Sequence, residues 1–456
     1  MASPTSGSTA QLTSTAPSAS DGATNSRATW RPGRLVRCAG LAAALFGGLH
    51  AANPPQATFG ITTLTPPRLD LNPHPGYWPR HRLWQGIPGI ERAPGGRLWA
   101  TWYAGPLQEG RGQNYQLLVN SDNDGRTWSK PVAVFDPTRQ LLGGDGSDPH
   151  LWLDPNGRLW WFVHRVMPSP GLHPRSCWGF FTDEPDAVRP QWRGPVFAGH
   201  GNSLNKETVL ADGTWLHMGD PLGRGEKPAA PEVATGAHLY RFEGYDKPWV
   251  HHGHATFKDS PGPGTEHMVV ERRDGSLWML ARIPKGIAQA FSTDKGRTWR
   301  EIEPFTHAFG LGTRFFFRRL LSGSLLLVVN DHPKARANMT AMLSPDEGRT
   351  WPFKLVIDER QAVSYPDGTQ DPAGAIYITY DRGRYNFDEQ EILFAKITEA
   401  DIRAGKLVSP QSRLKQVINK LRDDGGGVRF TGEAAEMVKE FQRLSTGNAA
   451  ASRPTP

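Results

Sequence analysis

Cysteine is scarce in this chain, which contains only Cys38 and Cys177 among its 456 residues. Cys38 lies in a leader that we expect to be removed, so no intrachain disulfide can form afterwards and Cys177 is predicted to be a single buried thiol. The sequence also contains no phosphate-binding glycine loop, no Gly-x-Ser-x-Gly motif and no His-Glu-x-x-His motif. Phosphoryl transfer and hydrolysis through a serine nucleophile therefore have no support in the sequence.

Clusters of basic residues are also lacking, although 52 basic and 45 acidic residues give a formal net charge of +7. Lys and Arg are spread along the chain, and a dispersed positive charge gives only a mild preference for acidic partners. The sequence therefore predicts no nucleic-acid-binding patch.

The apolar segment near the N terminus is too short to span a bilayer. Residues 1–29 are mostly Ser, Thr, Ala and Gly, which predicts disorder. Three arginines between positions 31 and 37 precede the mostly apolar or small residues 38–52. This pattern predicts an export signal, since a membrane span needs about 20 apolar residues. Residues 1–52 are expected to be a disordered leader with a signal peptide, and the mature protein to be secreted or periplasmic without a stable membrane span. The alternative is a disordered tail with a fortuitous Ala-rich patch.

Glycine, proline and tryptophan are abundant, with 50, 39 and 16 residues. A turn containing glycine, followed by an apolar strand that ends at a polar residue, occurs six times at intervals of 48 to 62 residues. The turn glycines are Gly96, Gly157, Gly213, Gly275, Gly323 and Gly374. A repeat of this length, built from strands and turns, predicts an all-β fold, and specifically a six-bladed β-propeller over residues 53–410.

Three units also contain a near-identical octapeptide of the form Ser-x-Asp/Asn-x-Gly-Arg-Thr-Trp, at residues 121–128, 292–299 and 344–351. Asp or Asn can bond to its own turn backbone, and Gly can adopt a conformation that a side chain forbids. The octapeptides are therefore predicted to be structural Asp-box turns rather than active-site segments.

The C-terminal region, residues 411–456, has a different pattern. Leu414, Val417, Ile418 and Leu421 have the spacing of an amphipathic helix. The small, polar and Pro-rich residues 445–456 are expected to be disordered. A short C-terminal helix packed on the rim of the propeller, followed by a disordered tail, is the resulting prediction.

Hairpin geometry predicts where a functional site lies. Residues nine before and seven after each turn glycine share the end of the hairpin opposite the turn, so in a propeller they converge around the central channel. The earlier positions are Ile87, Asp148, Leu204, Glu266, Arg314 and Tyr365. The later positions, all polar, are Tyr103, His164, Asp220, Arg282, Asn330 and Asp381. The alternative is that strand ends are simply where solvated residues occur.

At this point residues 80–400, including the three octapeptides, resemble the sialidase (neuraminidase) superfamily of six-bladed, Asp-box or BNR-repeat propellers. A glutamate that opens one strand and an arginine that closes the next are similar to Glu266 and Arg282. The segment Ser-Tyr-Pro-Asp-Gly resembles the one that carries the tyrosine nucleophile, which corresponds to Tyr365. An arginine after a Leu-rich strand and an Asn/His-Pro element matches Arg336. The resemblance implies a glycoside hydrolase with these four residues in its site.

The chemistry explains the grouping. A phenol with a reference pKa near 10 needs a carboxylate to accept its proton before it can act as a nucleophile at neutral pH. A neutral tyrosine suits a substrate that itself carries a carboxylate, because a second carboxylate would repel it. Arginines bind such a substrate carboxylate through a planar bidentate fork.

The sequence diverges from the family in the first arginine motif. The segment Gln-Gly-Ile-Pro has Gly86 where sialidases have the arginine of Arg-Ile-Pro, and the loop 104–110 lacks a clear acid/base aspartate. Glu109 or Asp148 could take that role. We therefore predict an exported, exo-acting hydrolase of an acidic glycan bearing sialic or uronic acid, with Tyr365 as nucleophile and Glu266 as base.

Two alternatives remain open. A uronate-directed polysaccharide lyase would use an arginine to neutralise the carboxylate and would transfer protons through His267 or His164 with Tyr365. A propeller that binds a glycan without turning it over is the other.

The interpretation assigns catalytic roles to Tyr365, Glu266, Asp148 and His267. Substrate-binding roles are assigned to Arg282, Arg336, Arg314, His164, Asp220, Asn330 and Asp381. No cofactor is predicted. No metal is predicted either, because the segment His251-His252-Gly253-His254 has no second ligand cluster at zinc spacing and is expected to be a surface loop.

Overall fold

The computed structural model describes residues 65–421 of the chain. Excepted are positions 107, 111–112, 141–142, 168–174, 221–235, 259–264, 311 and 386–388, and the side chain of Arg80. The predicted leader and export signal at 1–52 and the predicted disordered tail at 445–456 lie outside the described residues.

Six four-stranded antiparallel sheets follow one another along the chain, and within each sheet the strand order is the chain order. Blade 1 consists of β1 (Trp84–Arg92), β2 (Leu98–Gly105), β3 (Tyr115–Ser121) and β4 (Ala133–Phe135). Blade 2 consists of β5 (Asp145–Leu153), β6 (Leu159–Val166), β7 (Arg175–Thr182) and β8 (Arg193–His200). Blade 3 consists of β9 (Thr208–Val209), β10 (Trp215–Gly219), β11 (Ala237–Arg241) and β12 (Val250–Ala255). Blade 4 consists of β13 (Met268–Glu271), β14 (Leu277–Ile283), β15 (Gly286–Ser292) and β16 (Arg300–Phe305). Blade 5 consists of β17 (Phe316–Arg319), β18 (Leu325–Asn330), β19 (Ala337–Ser344) and β20 (Phe353–Gln361). Blade 6 consists of β21 (Val363–Gln370), β22 (Ile376–Arg382), β23 (Glu391–Ile397) and β24 (Arg413–Lys420). The predicted all-β, six-bladed propeller is confirmed.

The six predicted turn glycines each connect the first and second strands of a blade. Their φ angles lie between 78° and 110°, a region that favours glycine. The apolar strands that follow are buried, and clusters of buried apolar side chains join each blade to its neighbours around the ring. The core is thus a series of sheet-on-sheet interfaces. Cys177 on β7 is a free, buried thiol, as predicted.

The three octapeptides form the turns between the third and fourth strands of blades 1, 4 and 5. In each one the Ser hydroxyl accepts a hydrogen bond from the Gly amide at 2.8 to 2.9 Å. The Asn or Asp side chain accepts one from the Thr amide at 2.9 Å. A Cβ atom on Gly125, Gly296 or Gly348 would lie within 3.0 Å of Phe394, Leu239 or Trp278 of the preceding blade. Each octapeptide turn is therefore packed against the blade before it.

The predicted C-terminal amphipathic helix is wrong, because residues 413–420 form β24, the fourth strand of blade 6. β24 pairs with β23, whose outer edge would otherwise expose unpaired backbone groups. Ile418 is buried whereas Val417 is 46% exposed, so the two residues do not share a face as a helix would require. The propeller accordingly extends past residue 410.

A short helix does occur earlier, as α1 (Glu399–Ala404). Thr398 and Asp401 form a capping box at its start, and Gly405 ends it in the left-handed conformation. Single 3-10 turns lie at Pro75–Tyr77, Pro79–His81 and Pro137–Arg139. Within the described ranges no helix has the length and apolarity needed to cross a membrane. The predicted surface loop at residues 251–254 is also wrong, since these residues lie in β12.

Candidate active site

Four residues at the starts of the inner strands have left-handed backbone angles. The φ angle is 57° for Ile87, 44° for Asp148, 38° for Glu266 and 58° for Tyr365. All four are positions nine residues before a turn glycine, and three of them lie where the strand register shifts at a β-bulge. A non-glycine residue in this region is destabilised by roughly 1–2 kcal/mol, and bulges re-aim side chains. The fold therefore holds strained backbone at the ring of positions that line the channel.

These positions open into a cavity of about 690 Å³, which is within the range of small-molecule sites. Seven of the eleven predicted site residues line this cavity: Tyr365, Glu266, Asp148, His267, Arg282, Arg336 and Asp220. It is also lined by further polar side chains, among them Tyr103, Glu109, Arg175, Asn205, Arg384 and Tyr385.

Tyr365, Glu266 and Arg282 are in mutual contact at the cavity. The Tyr365 hydroxyl donates to Glu266 Oε1 at 2.9 Å, and Arg282 Nη1 donates to the Tyr365 oxygen at 2.9 Å and to Glu266 Oε1. Burial, and then the charge of Glu266, raise the pKa of the Tyr365 phenol above its ordinary value despite the nearby arginines. The phenol is therefore neutral at pH 7, with a carboxylate oxygen in place to accept its proton.

Two further arginines face the Tyr365 ring. The guanidinium carbon of Arg384 lies 4.3 Å from the ring centroid, and that of Arg336 lies 5.3 Å from it. Arg336 Nη2 donates to the carbonyl of Gly312 at 3.1 Å, and Arg336 forms no salt bridge within the described part of the chain. Together with Arg282, the cavity has three arginines grouped around one phenol.

Arg384 fills the space beside Gly86, where a larger side chain is excluded. A Cβ atom on Gly86 would lie 2.3 Å from Arg384 Cδ and 2.9 Å from its Cγ. The Arg384 side chain is 2% exposed, and its Nη1 lies 3.6 Å from Asp381 Oδ2. The loop after β22 thus places a guanidinium group in the space beside Gly86.

Asp148 is a buried carboxyl group of the cavity whose pKa is raised. Burial, and then the neighbouring charge of Glu109, raise its pKa to about 7. Asn202 Nδ2 donates to Asp148 Oδ2 at 2.7 Å and fixes the carboxyl group. An aspartic acid with this pKa can donate a proton near neutral pH.

Glu109 has the opposite character. Its two oxygens accept hydrogen bonds from Tyr103 at 2.7 Å and from Tyr385 at 2.6 Å. Burial favours the neutral acid, but the charge of Arg384 and these hydrogen bonds outweigh it and lower the pKa of Glu109. Of the two acid candidates, Asp148 therefore has the properties of a proton donor.

The two histidines predicted for proton transfer are held by structural contacts. His267 lines the cavity, but its Nε2 contacts the carbonyl of His238 at 2.8 Å and its Nδ1 contacts Thr265 Oγ1 at 3.1 Å. Burial lowers the pKa of His267 to about 4. His164 does not line the cavity, and its Nε2 accepts from the amide of Ser203 at 3.0 Å.

Three other predicted substrate-binding residues also lie behind the cavity wall. Arg314 pairs with Asp367 at 3.2 Å. Asn330 Nδ2 donates to the carbonyls of Ala337 and Val363 at 3.1 and 2.9 Å. Asp381 accepts from the Ser364 hydroxyl at 2.6 Å and from the Ile87 amide at 2.9 Å. These side chains bond to the inner strands and do not line the cavity.

Comparison with known proteins agrees with this architecture. Residues 96–378 match the BNR repeat-like domain. The chain belongs to the BNR repeat-like family. No curated protein sequence matches it.

Solved structures of sialidases share the propeller of this BNR repeat-like protein. A Hadza microbial sialidase is 17% identical, with a TM-score of 0.56 over 72% of this chain and 69% of that one. The intramolecular trans-sialidase from Ruminococcus gnavus, solved with oseltamivir carboxylate, is 15% identical, with a TM-score of 0.54 over 74% of this chain and 98% of that one. The leech intramolecular trans-sialidase is 14% identical, with a TM-score of 0.53 over 72% and 70%. At these identities the similarity establishes the fold.

Arg384 is a cavity residue of this BNR repeat-like protein that sequence reasoning missed. Arg384 lies three positions beyond Asp381 and therefore outside the aligned hairpin positions. The only signal in the sequence is that it belongs to an Arg-Gly-Arg segment. Asn205 follows one of the aligned positions and donates to the carbonyls of Glu266 and His267 at 2.8 and 3.0 Å. It therefore positions the backbone that presents the glutamate.

Proposed function

We propose that this protein is an exported, exo-acting glycoside hydrolase that removes an acidic sugar, sialic or uronic, from the end of a glycan. The observation that carries the proposal is the contact of the Tyr365 hydroxyl with Glu266 and Arg282 in the cavity. A neutral phenol paired with a carboxylate is an activated nucleophile, and sialidases use a tyrosine in this way.

The reaction follows a double displacement. Glu266 accepts the Tyr365 proton while the phenolic oxygen forms a bond to the anomeric carbon and the glycosidic C–O bond breaks. Asp148 donates its proton to the departing oxygen. Asp148, now a carboxylate, then accepts a proton from water, whose oxygen displaces the tyrosine from the anomeric carbon, and Glu266 returns the proton to Tyr365. Both displacements together retain the anomeric configuration.

The cavity arginines bind the negative charge of the substrate. Arg336 and Arg384 flank the Tyr365 ring. Arg384 Nε and Nη1 form no hydrogen bond within the described part of the chain, and the carboxylates of Glu109 and Asp381 lie 3.9 and 3.6 Å from them. Buried guanidinium groups are stabilised by a planar anion. This supports a carboxylated sugar as the substrate, with Arg384 supplying the group that Gly86 cannot.

The lyase alternative has weaker support, because both ring nitrogens of His267 are engaged and His164 lies behind the cavity wall. Export rests on the pattern of residues 31–52, and N-terminal sequencing of the mature protein from its native host should give a start shortly after residue 52. A start at Met1 would contradict export by this signal.

The test is product analysis by mass spectrometry after separate incubation with sialylated and uronate-terminated glycans. We expect release of a monosaccharide whose mass includes one added water; a product lacking that water would indicate either elimination or intramolecular formation of an anhydro sugar, and only the elimination product contains a C=C bond. Tyr365→Phe should reduce turnover at least about a thousandfold while glycan binding persists. Tyr103→Phe removes a cavity hydroxyl that bonds to Glu109 instead and should have a small effect. Unchanged turnover in Tyr365→Phe would contradict the tyrosine mechanism, and binding without any product would identify a glycan-binding propeller.

A further inference from the structure

Three histidines converge on the outer part of blade 3. In the β11–β12 ladder, His238 is opposite His254 and Tyr240 is opposite His251. The register shifts between these two pairs, so His252 is an extra residue in β12. Without that bulge, residues three apart would point to opposite faces of the strand. The bulge instead places His251 and His254 on the same face as His238.

The nitrogen atoms of the three imidazoles are close enough to share one ion. His238 Nδ1 lies 3.0 Å from His251 Nε2, and one ligand nitrogen from each of the three rings lies within 4.8 Å of the others. The His238 and His254 rings are nearly parallel, with centroids 4.9 Å apart. Ligand nitrogens around a tetrahedral zinc ion lie about 3.3 Å apart, because each Zn–N bond is about 2.0–2.1 Å long. A metal lies near the plane of each imidazole that binds it, so the His238 and His254 rings must rotate out of their stack for their nitrogens to converge on one ion.

The exposure of the cluster also suits a metal. His238 is buried, His254 is half-buried and His251 is exposed, so an ion there has protein on one side and solvent on the other.

We propose that His238, His251 and His254 form a binding site for a zinc-class divalent transition metal, with an open fourth position for water or a ligand. Three imidazoles without a carboxylate favour zinc, copper or nickel over calcium or magnesium, which prefer oxygen ligands. None of the three side chains lines the cavity. The site is thus separate from the proposed active site and does not depend on the proposed glycosidase activity.

A second His-containing cluster, His150, Glu207 and His217, differs in a way that matters. Glu207 Oε1 contacts His150 Nε2 at 3.2 Å and His217 Nδ1 at 2.9 Å, and all three side chains are buried. Both clusters contain internal hydrogen bonds, including the one between His238 and His251, but the cluster around Glu207 has no solvent-facing side. The blade 3 cluster differs because His251 is exposed and His254 is half-buried, so solvent can reach it.

The test is titration of the untagged, metal-free protein with Zn²⁺ by isothermal calorimetry, with Co²⁺ absorption as a report of coordination geometry. We expect one site per chain and an intense visible band for tetrahedral Co²⁺. His251→Ala and His254→Ala should each weaken Zn²⁺ binding by at least the ~10–100-fold seen when outer-shell partners of metal sites are removed. His252→Ala is the matched control, because His252 Nε2 contacts the carbonyl of Lys295 in the next blade.

The variants separate the outcomes. Because His251 and His254 are on the surface side of the cluster, both variants should fold, and circular dichroism checks this. Equal Zn²⁺ affinity in His252→Ala and His254→Ala, or no Zn²⁺ binding by the wild-type protein, would overturn the proposal. Loss of binding in His254→Ala with an unchanged His252→Ala would support it whatever the protein does to glycans.

Discussion

Asp148 is the residue whose acidity should govern the pH dependence of the proposed hydrolysis. Since its pKa is raised to about 7, the acid form needed to protonate a leaving group is lost as pH rises through 7. We expect kcat/KM for natural glycans to fall on that alkaline side. Asp148→Asn should abolish this limb and lower kcat/KM roughly 10²–10⁴-fold. An aryl glycoside needs little protonation of its leaving group, so it should lose far less activity, and equal losses on both substrates would argue against Asp148 as the acid.

The same group has a consequence for stability that does not depend on catalysis. A carboxyl group with a raised pKa stabilises the folded state fully below its unfolded pKa, near 4, and loses that contribution as pH rises through 7. Below pH 4, the difference in unfolding temperature between the wild-type protein and Asp148→Asn should therefore not change with pH. The variant should gain stability relative to the wild type between pH 4 and about 7.

Arg384 provides a second prediction at the level of a single residue. Removing a charge-assisted hydrogen bond to a substrate carboxylate raises the free energy of the bound transition state by about 1.5–3 kcal/mol, which lowers kcat/KM roughly 10–100-fold. Arg384→Ala should show this loss, whereas Arg382→Ala should not, because Arg382 pairs with Glu389 and Glu391. A methyl-ester substrate should reduce the difference between the two variants, and an undiminished difference would mean that Arg384 does not bind the carboxylate.

Sequence reasoning succeeded where a residue's position in its hairpin decides its location. Glu266, Arg282 and Tyr365 come from different strands, and their common placement at the open end of the hairpins brings them together, although their roles stay predictions. Arg384 could not be located in this way, because its relation to Gly86 exists only once blade 6 has closed against blade 1. Arg314 shares an aligned position with Tyr365 and Glu266, yet its side chain points into the buried interior.

At the level of elements, the octapeptide glycines should tolerate substitution less well than the hairpin glycines. Gly348 and Gly374 both have left-handed angles, with φ of 84° and 91°. A Cβ atom on Gly348 would lie 2.2 Å from the Trp278 ring, whereas Gly374 has no atom of the described residues within 4 Å. Gly374→Ala should reduce the free energy of unfolding by about 1–2 kcal/mol. Gly348→Ala should add an overpacking loss of about 1–3 kcal/mol.

Urea denaturation of the two variants measures this difference directly. Because the backbone term is common to both, the excess loss in Gly348→Ala reports contact between blades 4 and 5. Equal losses would mean that Trp278 moves aside freely and that the turn is not packed against the preceding blade.

The misassigned C-terminal strand illustrates the limit of periodicity at this scale. Four apolar residues at helical spacing predicted a helix, but the strand β24 contains a bulge, with Lys415 at a φ of 57°, which disrupts the alternation of a regular strand. The pairing requirement of β23 decides the outcome, and it is invisible in the local sequence. By contrast, α1 has both of its end signals in the sequence, a capping box and a terminal Gly405.

For the whole molecule, closure of the ring depends on a seam between blade 1 and blade 6. One carboxylate of the first octapeptide, Asp124, accepts hydrogen bonds from three strands of blade 6. The donors are Tyr377 on β22 at 2.8 Å, Lys396 on β23 at 2.9 Å and Arg413 on β24 at 3.0 Å. The first and last parts of the propeller are thus held together by side chains and by the apolar cluster beneath them. Their sequence separation explains why the seam could not be predicted.

Asp124→Asn should weaken this seam. Burial favours the neutral form of Asp124, but hydrogen bonds from Lys396, Tyr377 and Arg413 outweigh it and lower the pKa. A lowered pKa contributes stability that is present above the unfolded value near 4 and is lost as pH falls through the folded value. The variant should therefore unfold at a lower temperature than the wild-type protein at pH 7, and the gap should close in acid.

Asp122→Asn is the control for this prediction, because Asp122 belongs to the same turn but pairs with Arg97 of its own blade and is 66% exposed. It should change the unfolding temperature little, since exposed ion pairs contribute about 0–1 kcal/mol. Asparagine also tolerates the left-handed angle of residue 124, so backbone strain does not add to the loss in Asp124→Asn. If both variants lower the unfolding temperature equally, or if the Asp124→Asn gap persists at pH 3, the charge of Asp124 is not what closes the ring.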